Sequence, residues 1–526
     1  MTVRLLLLLA LGLAGCRPDC TPRDPARPNL LLVTIDTLRA DHLGAYGNER
    51  VATPHFDRLA REGRIFEQSY AVSHITLPSH ASIMSSLLPS EHGILRNNVR
   101  PSGPVPTLPE TLARAGWRTG AVVSVLHLGP RHPVGELLRP GFETYEAPHR
   151  VSRPFRAAEA NERLFAWMRG VCREPFFAWV HYWDPHMPYA PPAPFDGLYY
   201  TGDPHAPQHH GMDDVRLPWA LLDLRPLRVR LSARAAEVRA LKRALGLPSR
   251  GVRNLVLNPA ALDTSVPDPA ERARLRRVLG GLADGIRATL RPAPDLSDWL
   301  EGVRDIRFPL ARYAGEVTYV DSALGALRAE LEDLGLADRT IVVVTADHGE
   351  GLGEHGIWFN HEILQEQHLR VPLVIWAPGR VAPGRDPAPV DGLDVAPTLL
   401  ALAGVPAPPS LHGRDLLSAG RQPRPLVAEG ASGRQVAILD DGWRLVRTLQ
   451  AMAIGDDYER QPGDVELYER TSDPGETRNR AADETARVQA LSAALQARIA
   501  VPRTPPPAGG VQRETSEALR ALGYVE

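Results

Sequence analysis

The sequence predicts a layered α/β fold: a large, mainly parallel sheet covered by helices, with a small α+β subdomain at its carboxyl end. Three observations carry this. Continuous apolar runs of strand length recur along the chain, as expected of strands buried on both faces. Helical patterns separate these runs, which is the alternation of crossover units. Beyond about residue 425 the texture changes to short strand-like pieces. The 526 residues are 43% hydrophobic, enough for a large core. Lys+Arg 60 against Asp+Glu 62 gives a net charge of -2, which argues against a nucleic-acid partner.

The first fifteen residues read as an export signal. Arg4 precedes an apolar run over 5–13, too short for a bilayer span of about 20 residues. The run ends in Leu13-Ala14-Gly15-Cys16, which resembles a bacterial lipobox and implies a mature protein starting at a lipidated Cys16. A plain secretory signal with a chance cysteine is the alternative. The expected location is the bacterial cell envelope, lipid-anchored in the periplasm or at the cell surface. Residues 16–28, rich in proline and arginine, read as a tether. Cys20 and Cys172 can pair in an oxidising compartment, and a buried thiol at Cys172 serves equally well.

The main domain is expected over 29–425. Its strand-like runs are 30–35, 121–125, 176–182, 341–345 and 373–376, read as strands of a parallel sheet. Helical patterns fall at 109–115, 157–168, 313–334 and 395–403. Residues 190–305 break the alternation and read as an Arg-rich insertion, helical near 232–245 and 271–290, either a cap over the site or a solvated face. A small subdomain is expected over 426–500. Its hairpin joins 435–439 to 443–448 through Asp440-Asp441-Gly442. A tail covers 501–526.

In open α/β sheets ligands bind at the carboxyl ends of strands. Asp36 ends the first run, and Asp347 and His348 end the run 341–345. Two carboxylates and an imidazole converging there suit a divalent cation. Taken singly, Asp36 is also a helix cap and Asp347 a turn residue. In Thr76-Leu77-Pro78-Ser79-His80, Pro78 and Ser79 read as a helix start, with Thr76 just outside it. A hydroxyl there, touching a cation, becomes a nucleophile; an ordinary capping box is the plain alternative.

These residues are joined by longer matches. They are Val33-Thr34-Ile35-Asp36-Thr37-Leu38-Arg39-Ala40-Asp41-His42, Thr53-Pro54-His55-Phe56-Asp57-Arg58-Leu59-Ala60, the stretch from Thr76 to His80 with Pro89, His92 and Gly93, and His181-Tyr182-Trp183-Asp184-Pro185-His186-Met187-Pro188-Tyr189. Further on come Asp347-His348-Gly349-Glu350-Gly351-Leu352-Gly353-Glu354-His355-Gly356, Arg370-Val371-Pro372-Leu373, Glu466-Leu467-Tyr468 and Asp473-Pro474-Gly475-Glu476. In this order they resemble the sulfatase family of the alkaline phosphatase superfamily. The resemblance implies an alkaline-phosphatase-like sandwich and a metal-dependent ester hydrolase. It implies metal ligands at Asp36, Asp347 and His348, a nucleophile that also touches the metal at Thr76, and Thr37 where many sulfatases carry a second aspartate. His186 and His361 match positions that contact substrate or leaving group.

The departures carry as much meaning. Typical sulfatases convert a cysteine or serine at position 76 to formylglycine, with an arginine at position 80. Thr76 cannot be converted, so no formylglycine is expected, and His80 is left as a substrate-binding residue. Lysines usually face the sulfate, but Lys242 is the only lysine and lies in the insertion; Asn360 stands near where one is expected. Superfamily members with threonine at this position mostly handle phosphorus. Asn97 follows Thr76 by 21 residues, a separation resembling that of a phosphate-binding asparagine, although Arg96-Asn97-Asn98 also reads as a turn. The expectation is therefore a hydrolase of sulfate esters or, more in keeping with Thr76, phosphate esters. Thr76 would form the covalent intermediate, with one divalent ion (Ca, Mn or Zn), Asn97 on the oxyanion, and His186 or His361 protonating the leaving oxygen. A transferase acting on lipid or glycan head groups and a non-catalytic glycan-binding lipoprotein are the alternatives.

Overall fold

The fold is read from a computed structural model that describes residues 18–97, 105–129, 138–149, 153–213, 215, 268–283, 298–454 and 458–499. The export signal with Cys16, the helical reading at 232–245 and the tail 501–526 lie outside the described residues.

Eight strands form the main sheet: β1 (Asn29–Ile35), β2 (Arg64–Phe66), β3 (Arg118–Val123), β4 (Thr144–Glu146), β5 (Phe176–Tyr182), β6 (Thr340–Ala346), β7 (Leu373–Trp376) and β8 (Gly384–Asp386). Their order is β8-β2-β7-β6-β1-β5-β3-β4. β1 pairs in parallel with both β5 and β6. The expectation that 373–376 joins a parallel sheet is corrected, because β7 runs antiparallel to β6 and β2. Its short apolar run looks the same in either direction, since both faces are covered. The run expected at 121–125 begins at Arg118 instead, with Val123 as its last strand residue.

Along β1 the side chains alternate between two cores. Leu31, Val33 and Ile35 face one hydrophobic cluster, and Leu30 and Leu32 the other. On the first face lie α1 (Pro54–Glu62), α4 (Ala157–Val171), α6 (Arg307–Asp333) and, through Leu369, the short α7 (Glu366–Leu369). α6 buries Tyr313, Val317, Val320, Leu324, Leu327 and Leu331, the spacing of one helical face. On the other face lie α2 (Thr76–Ser85), all ten residues of which are buried, α3 (Leu108–Arg114) and α8 (Val395–Ala403). Within the insertion, α5 (Pro269–Ala283) agrees in type with the helix expected from 271.

A separate antiparallel sheet follows: β9 (Leu426–Glu429), β10 (Gln435–Asp440), β11 (Trp443–Thr448) and β12 (Val465–Glu469). The expected hairpin is present, with Asp441 at φ 47° and Gly442 at φ 74°, the left-handed pair a two-residue turn requires. The sheet packs on Leu491 and Leu495 of α9 (Thr485–Arg498).

Residues 18–28 do not trail freely as a tether would. Cys20 is disulfide-bonded to Cys172, so the buried-thiol alternative fails. Arg27 stacks over Trp117, whose indole N–H donates to the Pro28 carbonyl at 3.0 Å.

Candidate active site

Strand register builds the site. Ile35 pairs with Ala346 on one side and Tyr182 on the other, so Asp36, Asp347 and Trp183 leave adjacent strand ends. Residues some 310 positions apart thus meet by backbone pairing alone. Asp36, Thr37, Thr76, Asp347 and His348 are all fully buried. Ligand atoms of Asp36, Asp347 and His348 lie within 4.8 Å of one another. Thr76 Oγ1 stands 3.3 Å from His348 Nε2.

Hydrogen bonds decide which atoms face inward. Asp347 Oδ1 accepts the backbone N–H groups of Thr37 (3.3 Å) and His348 (2.9 Å), leaving Oδ2 directed at the cluster, 3.4 Å from His348 Nε2. His348 Nδ1 donates to the Gly349 carbonyl at 3.0 Å, which puts a lone pair on Nε2. Both Asp36 oxygens, Thr37 Oγ1 and Asp347 Oδ2 are buried without a hydrogen-bond partner. Buried orphan oxygens around an imidazole lone pair are the donor set of a divalent cation, so the residues fit one. Burial, together with Asp347 and Glu350, pushes the Asp36 carboxyl well above its usual range; burial raises Asp347 to about 6 and lowers His348 to about 3. A cation would reverse the shift of both carboxylates and reinforce that of His348.

The other expected residues fall around this cluster. Thr76 is not outside its helix but its first residue, because Ile75 is the extended residue before it. Pro78 misled the boundary: proline is tolerated anywhere in a first turn, where N–H groups have no intrahelical acceptor. Asn97 accepts the Leu77 N–H at 2.8 Å and so caps the same helix end. The His361 ring lies 4.1 Å from the His348 ring and 5.9 Å from His186. His361 Nδ1 donates to the His74 carbonyl and His186 Nδ1 to the Met187 carbonyl, each at 2.7 Å. In the neutral rings the lone pair is therefore on Nε2. Burial and neighbouring imidazoles push His361 well below the histidine range and His186 to about 3, so a standing imidazolium is disfavoured. The expectation that His80 touches substrate meets an obstacle. Its Nδ1 is 2.7 Å from the Thr76 carbonyl and its Nε2 is 2.9 Å from Thr34 Oγ1, so both nitrogens are engaged inside the protein.

Sequence reasoning assigned no role to His181, His74 or Glu350. His181 carried a signal, being a polar ring inside the otherwise apolar strand β5. The Glu350 carboxyl is buried one residue beyond Gly349 and is raised by that burial to about 8.

The sulfatase family profile matches residues 28–405. The chain belongs to the sulfatase family. It is 26% identical to the N-acetylglucosamine-6-O-sulfatase of Bacteroides thetaiotaomicron over 442 residues, covering 78% of this chain and 74% of that protein. It is also 26% identical to the multifunctional alkaline phosphatase superfamily protein PehA of Trinickia caryophylli, over 77% of this chain and 78% of that one. Among solved structures it resembles the phosphonate monoester hydrolase of Agrobacterium radiobacter (TM-score 0.61, 20% identity, 90% and 95% of the two chains). It also resembles a protein in complex with its substrate D-glucosamine-2-N,6-O-disulfate (TM-score 0.60, 20% identity, 90% and 97%). This sulfatase-family chain is a hydrolytic enzyme acting on esters, in a family that uses a divalent metal.

Proposed function

We propose that this sulfatase-family hydrolase cleaves phosphate-type esters through a covalent intermediate on Thr76. The observation that carries the reading is the Thr76 hydroxyl, buried 3.3 Å from His348 Nε2 at the edge of the Asp36–Asp347–His348 cluster. A divalent cation held by Asp36, Asp347, His348 and the hydroxyls of Thr37 and Thr76 would favour the alkoxide of Thr76 and offset charge on the ester. Thr76 Oγ1 bonds to phosphorus as the bond to the leaving oxygen breaks. The Thr76 proton passes to a neutral Nε2 and from there to the leaving oxygen. His361, its ring 4.1 Å from that of His348, is the candidate for this, with His186 5.9 Å from His361. Such a relay needs no standing imidazolium, in keeping with the lowered pKa values of both rings. Water then displaces Thr76 from phosphorus. The helix end and the Asn97 amide orient the nonbridging oxygens.

Formylglycine can expel sulfate by collapsing to an aldehyde, whereas a threonine ester has no such route; this favours phosphorus over sulfur. The likeness to a phosphonate monoester hydrolase supports the same direction, and the sulfatase relatives make sulfate the competing substrate. Thr76→Ala should lose roughly 10³-fold or more in turnover while retaining its metal content, as nucleophile removal does elsewhere. Aryl phosphate, phosphodiester, phosphonate and sulfate substrates with added Ca, Mn or Zn measure it, and full activity of the variant removes Thr76 from the chemistry.

We further propose export to the cell envelope and anchoring through Cys16. The lipobox-like sequence supports the anchor, and the Cys20–Cys172 disulfide supports an oxidising compartment. Cys16→Ala should move the protein from the membrane fraction to the soluble periplasm or medium; unchanged fractionation excludes the lipid anchor.

A further inference from the structure

Behind Asp36 and Asp347 stand two wholly buried histidines, His80 and His181, whose rings meet edge to face at 5.0 Å. With Asp347 they bring potential ligand atoms within 4.8 Å of one another, the spacing of a second cation site. Counting protons excludes that use, because a nitrogen ligates only through a lone pair. Thr34 Oγ1 accepts from Trp179 Nε1 at 3.0 Å and lies 2.9 Å from His80 Nε2. The proton of His80 lies on Nδ1, 2.7 Å from the Thr76 carbonyl oxygen; the other tautomer would oppose two lone pairs there. The Ser124 N–H donates to His181 Nδ1 at 3.3 Å, which puts the His181 proton on Nε2.

The His181 N–H therefore faces Asp36, while the His80 N–H is given to the Thr76 carbonyl and lies beside Asp347. His181 Nε2 is 3.6 Å from Asp36 Oδ2, and His80 Nδ1 is 3.7 Å from Asp347 Oδ2. These separations exceed a hydrogen bond. The facing carboxylate oxygens and His181 Nε2 nevertheless have no other hydrogen-bond partner.

We propose that His80 and His181 are positioning residues, an outer shell of neutral N–H donors that orients the two carboxylates and the backbone of Thr76, and that neither ligates a second cation. The inference rests on the metal-centre reading above. A neutral donor aligns a carboxylate without competing for it by charge, which an arginine or lysine in the same place would do. Outer partners of this kind, when removed, typically weaken metal binding about 10- to 100-fold.

Calorimetric titration of the metal-free protein with Mn²⁺ tests it, with thermal melts to confirm that each variant is folded. One site is expected in the wild type. His181→Leu should weaken that site about 10- to 100-fold without changing its stoichiometry. His181→Gln, whose amide N–H can take the place of Nε2–H, should keep most of the affinity. His80→Leu should weaken binding and His80→Asn, with its N–H near the Nδ1 position, should restore it. If a leucine variant fails to fold, His181→Asn against His181→Gln decides, since only glutamine reaches the Nε2 position. Two sites in the wild type with one lost in His181→Leu would make the histidines ligands and overturn the proposal. So would wild-type affinity in both leucine variants, or equal losses in His181→Gln and His181→Leu. A wild type that binds no divalent cation defeats the metal-centre reading itself, an outcome distinct from those.

Discussion

Thr37 sits at φ 54° with its hydroxyl buried beside the carboxylates, a backbone region that β-branched residues rarely enter. Such strain costs roughly 1–3 kcal/mol and persists only where its surroundings impose it. Here Tyr313 donates to the Thr37 carbonyl at 2.8 Å, and the Thr37 N–H donates to Asp347 Oδ1. The strained residue thus ties the Asp36 and Asp347 carboxylates together. Those carboxylates also set a pH dependence. In the metal-free chain Asp36, Asp347 and Glu350 bind protons more firmly when folded than when unfolded, with Asp347 at about 6 and Glu350 at about 8. Stability contributed by these groups is therefore present at low pH and falls as pH rises from about 4 to 8. Each tenfold gain in proton affinity on folding corresponds to about 1.4 kcal/mol, before allowance for relaxation of a buried site. A bound cation reverses the preference, so the rise in melting temperature produced by Mn²⁺ over a chelator should be small at pH 5 and larger at pH 8. An increment that is flat across this range contradicts the assignment of the carboxylates to a cation.

The decisive element is α2. It carries Thr76 at its first position, is buried along its whole length, and is tied to the end of β6 by Ser79 Oγ donating to the Asp347 carbonyl at 2.6 Å. Thr76 and the strand end that carries Asp347 and His348 are thereby held in one frame. The amino end of α2 is capped by a side chain from outside the helix, since Asn97 Oδ1 takes the Leu77 N–H. Asn97→Ala should cost about 1 kcal/mol of stability, the usual value of a lost cap. Because the same amide orients oxygens of the ester in the proposed mechanism, turnover should fall by more than the stability change explains. Denaturant unfolding and steady-state kinetics on one preparation compare the two; equal activity in a destabilised variant would leave Asn97 a cap and nothing more. The residue pattern around Pro78 announced a helix but not its first residue, because a proline fits any position of the first turn equally well.

Across the molecule, two devices hold peripheral segments to the main sheet. Glu366, beside the sheet, is gripped by Arg444 at 2.8 Å and Arg470 at 2.7 Å from the carboxyl-terminal subdomain, and the Glu476 carboxylate accepts the Glu366 N–H at 2.9 Å. The Cys20–Cys172 disulfide closes a separation of 152 residues. Chain entropy alone values a loop of that size at roughly 5 kcal/mol, and measured disulfides usually give about 2–4. Reduction, or Cys20→Ser with Cys172→Ser, should therefore lower the melting temperature by several degrees while leaving metal stoichiometry unchanged; an unchanged melt would mean the bridge closes a segment that packing already holds. The layered α/β class, the runs that became β1, β5 and β6, the hairpin at Asp440-Asp441-Gly442 and the meeting of Asp36, Asp347 and His348 near Thr76 were all legible in the amino-acid sequence. Each is written in local pattern or in short ordered motifs. The folded chain was needed to learn that β7 runs antiparallel, that Cys20 meets Cys172, that His80 spends both ring nitrogens inside the protein, and that His181 turns its N–H toward Asp36. Strand direction, disulfide partner and imidazole tautomer are set by neighbours distant in sequence, and no local pattern of residues encodes which neighbour arrives.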